Sequence, residues 1–128
     1  NAARMSGIGA FIFFTFYGLD AITDKKVDHL HVNMVGNPSS PLPTMLAGLP
    51  GMESLAAKMM KKRMEELELP TVREMLEMLD GAGAELYACQ LAMDMMEGAR
   101  TDLVPQVKDV ITAGDFYELA DGAQIIFT

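Results

Sequence analysis

The sequence predicts an α/β protein on an open, mostly parallel sheet with helices on both faces, a three-layer α/β/α arrangement. Three observations predict it. Short apolar runs, residues 10–16 foremost, carry aromatic and β-branched side chains without alternation, as strands buried on both faces do. Between such runs lie stretches with apolar residues at i, i+3, i+4 and i+7, the stripe of a half-buried helix. The two kinds alternate as βαβαβ, and parallel strands joined by helices take right-handed crossovers.

Taken in order, residues 2–6 read as the tail of a helix rather than a targeting peptide, and with Asn at position 1 further chain is expected upstream. A buried strand is predicted near 9–15, after Gly7 and Gly9. A brief helical turn follows through Leu19 and Ile22, then a short extended piece over 29–33. Residues 36–51 hold four prolines, each biasing its predecessor away from helix, so an exposed loop is expected there. From Met52 the stripe Ala56, Met60, Met64 and Leu67 predicts a helix that Pro70 ends. Thr71 and Glu74 have capping-box spacing before Val72, Met75, Leu76 and Leu79, a second helix that Gly81 and Gly83 stop. Residues 84–88 then form a strand with Cys89 at its end, and 90–97 a helix. A strand over 108–112, a helix over 115–120 and a last strand over 124–128 complete the chain.

With 128 residues and 14.0 kDa the chain fits one compact domain. Its formal charge is −8, and all the excess lies beyond residue 70. Such a surface repels phosphates, so nucleic acid is excluded as a partner and a basic partner is compatible. The longest apolar run, residues 8–17, is half the length a bilayer-spanning helix needs, roughly 20 residues. Methionine is abundant, at 12 residues. Core packing is expected for those of the 71–80 helix, while on the 52–67 helix an exposed Met-lined contact with a partner or subunit is an equal alternative. Lys61, Lys62 and Arg63 read as a solvated face balanced by Glu65, Glu66 and Glu68.

Chemistry concentrates on one atom. The single cysteine excludes an internal disulfide and multi-thiolate zinc sites, and points to a reducing cytoplasm. In an open α/β sheet ligands bind beyond the carboxyl ends of the strands, where Cys89 is expected, with the first amides of the next helix directed at its sulfur. Glu85, Asp94 and Glu97 would oppose ionisation if they came close. The alternative is a buried, inert thiol. His29 and His31 alternate as strand neighbours would, but two histidines without a third ligand make no metal site, and none is expected. Signatures of P-loops, dinucleotide folds, serine hydrolases and zincins are absent from the sequence. No cofactor is called for.

The strings Phe13-Phe-Thr-Phe-Tyr-Gly-Leu19, Pro43-Thr-Met-Leu-Ala-Gly-Leu-Pro-Gly-Met52 and Leu86-Tyr-Ala-Cys-Gln-Leu-Ala-Met-Asp-Met95 resemble the DsrE/DsrF-like sulfur-relay family, in its branch with a helical insertion before the cysteine strand. The resemblance implies one DsrE-like domain over 1–128 with a loop and helical insertion at about 36–80, and a first strand and helix start lying before Asn1. It implies a sulfur carrier or sulfurtransferase whose Cys89 accepts sulfane sulfur as a persulfide and passes it to a TusA-like or rhodanese-like protein. A homo-oligomer, trimer or hexamer, is implied as well. Thr15, Phe16, Tyr17 and Gln90 are the pocket residues it suggests. Two alternatives remain at this stage: a thiol peroxidase-like protein, which would need an external resolving thiol, and a non-catalytic oligomeric assembly module.

Overall fold

Three parallel strands form the sheet: β1 (Phe11–Phe14), β2 (Glu85–Cys89) and β3 (Val107–Ile111), in the order β1-β2-β3. The computed structural model describes residues 1–30 and 51–128. In register, Phe11 lies beside Glu85 and Phe14 beside Ala88, while Leu86 lies beside Val107 and Cys89 beside Ile111. A bulge between Leu86 and Tyr87 shifts the second pairing by one residue. β2 is central, and Leu86, Tyr87, Ala88 and Cys89 are all buried. Successive side chains of a strand point to opposite faces, so both faces of β2 are covered, as the unalternating apolar run requires.

The chain divides into two compact units, one of residues 1–28 with 72–128 and one of residues 29–71. In the first, α1 covers Ala2–Met5 and a 3-10 helix spans Phe16–Ile22; a shorter one, Val27–His29, ends at the boundary between the units. Leu19, Ile22 and Val27 join Leu86, Ala88, Cys89, Leu103, Val104 and Val107 in one apolar core. The second unit contains α2 (Met52–Glu66). Back in the first unit, α3 (Val72–Gly81) contributes Leu76 to the core, and α4 (Gln90–Met95) contributes Ala92 and Met93. The last helix, α5 (Ala113–Leu119), lays Phe116 on Phe13 of β1 with ring centroids 4.7 Å apart. Its N-terminus is a capping box in which Thr112 and Asp115 satisfy each other's amides.

Two arginines fasten the first unit. Arg73, at the start of α3, holds Asp28 through two nitrogens and Asp24 through a third. Arg4 of α1 donates to the Ala82 carbonyl at 2.8 Å and lies against Gly83.

Four expectations are corrected. Residues 124–128 form no strand, and Ile126 and Phe127 are 74% and 86% exposed. Their composition suits a strand, but a strand exists only where an edge pairs with it, and composition does not supply the edge. His29 lies in a 3-10 turn rather than an extended piece; His31 and the 36–50 part of the expected loop fall outside the described residues. The helix after Cys89 ends at Met95, short of 97, because Glu97 adopts φ 52 and closes the helix. Met75 and Met78 are 43% and 44% exposed, since the core stripe of α3 runs through Val72, Leu76 and Leu79 and leaves both methionines outside it.

Candidate functional site

The carboxyl ends of all three strands lie at one edge of the sheet because the strands are parallel. That edge carries Thr15 after β1, Cys89 and Gln90 at the β2–α4 junction, and Thr112 after β3. Register fixes the level: Phe14 sits beside Ala88, so Thr15 follows at the height of Cys89. The 3-10 helix Phe16–Ile22 packs against α4, the helix that Cys89 starts.

Cys89 is the N-cap of α4, with φ −76 and ψ 120, and its side chain accepts no capping hydrogen bond. The expected amides are not bonded to the sulfur. Cys89 instead belongs to the apolar cluster with Ala92, Met93 and Leu103, and it is 6% exposed. Two of the three carboxylates suspected of opposing its ionisation are engaged elsewhere. Asp94 accepts from Gln90 Nε2 at 2.7 Å. Glu85, at the opposite end of β2, is bonded to Lys108 Nζ at 2.7 Å and accepts from the Tyr87 hydroxyl. The Lys108 bond, with help from Tyr87, holds the Glu85 carboxyl below its ordinary value. Burial, and then the bond to Glu85, push the Tyr87 phenol up.

The other sequence candidates are placed as follows. Thr15 is the N-cap of the Phe16–Ile22 helix, with no side-chain cap bond. Phe16 has φ 47, a left-handed backbone that a bulky side chain rarely takes, and is 49% exposed. Tyr17 is 86% exposed. Gln90 lines an open depression of about 330 Å³ together with Met93, Gly98, Arg100, Asp109 and Val110. Cys89, Thr15, Phe16 and Tyr17 do not line it, so the sheet edge collects the five candidates without joining them in one cavity.

Arg100 and Asp109 on that lining were not singled out by sequence reasoning. The available signal was that Arg100 is one of three basic residues in the acidic half. Its guanidinium donates to the Val107 and Lys108 carbonyls, which anchors it on β3. Among the described residues no group of three or more His, Cys, Asp or Glu could hold a metal ion, and no helix is long and apolar enough to cross a membrane.

A sequence model of the DsrE/DsrF/DrsH-like family matches residues 1–127. The chain belongs to that family. A curated relative, the sulfur carrier protein DsrE2 of Allochromatium vinosum (strain ATCC 17899), is 29% identical over 133 residues, covering 98% of this chain and 82% of the relative. In this member of the DsrE/DsrF/DrsH-like family, the parallel sheet and the cysteine at the end of its central strand stand together.

Proposed function

We propose that this protein is a sulfur carrier in which Cys89 holds sulfane sulfur as a persulfide. The observation that carries the reading is the position of the chain's single cysteine at the carboxyl end of the central parallel strand, where α/β sheets place their ligands. Similarity to a relative named as a sulfur carrier supports it.

The chemistry is thiol exchange. The Cys89 thiolate attacks the outer sulfur of a donor persulfide; a bond forms to that sulfur, the donor's S–S bond breaks, and the donor leaves as a thiolate with the electron pair. An acceptor thiolate then attacks the same outer sulfur and releases Cys89 as thiolate. Each step is neutral in electrons, so no oxidant or reductant is consumed. TusA-like or rhodanese-like proteins are the donors and acceptors we propose, within a homo-oligomer, trimer or hexamer, in a reducing cytoplasm. Thr15, Phe16, Tyr17 and Gln90, on the same sheet edge, are the residues we propose to meet the incoming group.

Loading is tested by intact mass after incubation with polysulfide. One added sulfur on the wild type and none on Cys89→Ala is expected. No addition, or equal addition on the variant, contradicts the reading. The burial of Cys89 favours a second reading, an assembly module with an inert thiol whose exposed Met59 and Met60 on α2 contact a subunit. That reading predicts a thiol that resists labelling until the protein unfolds.

A further inference from the structure

Cys89 is buried, with 6% of the residue exposed, so on the sulfur-carrier reading another protein's thiol needs a way in. We infer that the 3-10 helix Phe16–Ile22 is a movable cover over Cys89 that opens at its Phe16 end, with Leu19 as the plug.

Four observations converge on it. The helix follows Thr15, which lies level with Cys89, and packs against α4, the helix that Cys89 caps; its Leu19 is 2% exposed in a core cluster that Leu76 of α3 also joins, but α3 does not follow that edge. At seven residues it is long for a 3-10 helix; such helices rarely exceed three or four because their hydrogen bonds are poorly aligned. Its two ends are held unequally. The far end is pinned, with Val104 N–H donating to the Ile22 carbonyl at 2.8 Å, Thr23 bridged to Leu103, and Asp24 N–H donating to the Asp102 carbonyl at 2.8 Å. The near end has an N-cap threonine that makes no cap bond and, directly after it, Phe16 in the left-handed region. Strain in a bulky residue persists only where its surroundings impose it, and outward movement of residues 16–21 relieves it. Leu19 then withdraws, while β1 and the Thr23 bridge keep the segment attached at both ends. Tyr17, 86% exposed beside the strained residue, is the first side chain an approaching partner meets.

The test follows labelling of Cys89 by a small maleimide in the full native chain, with global stability measured in parallel by urea unfolding. Leu19→Ala is compared with Leu76→Ala, a control at similar burial on α3. The cover predicts that Leu19→Ala labels at least roughly tenfold faster than Leu76→Ala after correction for each variant's loss of global stability, since only the former empties the plug. Phe16→Gly, which takes a positive φ without strain, favours the closed form and slows labelling on the order of fivefold. Equal acceleration by the two leucine variants once corrected, or faster labelling of Phe16→Gly than of the wild type, overturns the cover. Failure of the underlying reading looks different: a Leu19→Ala chain that labels rapidly yet gains no sulfur from polysulfide upholds the cover and defeats the sulfur carrier.

Discussion

Glu97 occupies the backbone position that ends α4, and the way it does so shows what single residues contribute. Its N–H bonds the Asp94 carbonyl and the Gly98 N–H reaches the Met93 carbonyl at 2.9 Å, the pair of bonds that closes a Schellman motif. Glu68 closes α2 in the same way at φ 53, whereas Gly7 and Gly83 do it for α1 and α3. The left-handed position disfavours a side chain by about 1 kcal/mol, so Glu97→Gly is expected to raise stability by about that much, read as a higher urea midpoint at unchanged slope. Gly83→Ala should do the opposite by at least about 1 kcal/mol, because its Cβ would lie 2.8 Å from the Arg4 guanidinium as well as at positive φ. Gly81 and Gly83 were legible as a helix stop because glycine advertises the conformation. Nothing about glutamate does, which is why the end of α4 was misplaced.

At the scale of elements, what could be read depended on whether an element carries its own signal. β2 was legible because, past Glu85, residues 86–89 run without polar alternation as a strand buried on both faces does, and α3 because Val72, Leu76 and Leu79 keep helical spacing. Residues 124–128 have strand composition without a neighbour, and pairing is a property of two segments. The β2–β3 tie was hidden for the same reason, since Glu85 and Lys108 are 23 positions apart in the sequence and meet only through the register. It brings a pH dependence. Glu85 has a carboxyl value lowered from 4.5 by Lys108 and then Tyr87, so the group binds fewer protons in the folded state than in the unfolded one across that range. The stability it contributes is present above the ordinary carboxylate value and is lost as the pH falls through the folded one. Glu85→Gln should therefore lower stability at neutral pH and flatten its decline in acid, measured by urea unfolding across the acid range. A decline as steep as the wild type's would assign the acid sensitivity to other carboxylates.

Taken as a whole molecule, the chain combines a net charge of −8 with a single cysteine at the carboxyl edge of the sheet, where α/β folds place their ligands. The position of Cys89 in the fold was legible, since strand, cysteine and helix follow one another in sequence. Its burial was not, because the apolar core it belongs to is assembled with Leu19, Leu103 and Val104, from segments distant in the chain. On the proposed carrier reading that burial would keep a persulfide from water and stray thiols until the proposed cover opens; without such an opening it leaves the thiol inert. The acidic surface favours a basic partner face, so transfer should slow as salt is added, most at low ionic strength, while labelling by a neutral maleimide stays constant.

The most direct measurement is a complete loading and release cycle. The protein is charged with polysulfide, desalted, and mixed with a TusA-like acceptor thiol protein, and the masses of both are followed. The account predicts that this chain loses one sulfur as the acceptor gains one, with Cys89→Ala transferring none. Sulfur that stays on the chain, or leaves only as free sulfide while the acceptor's mass is unchanged, would contradict it.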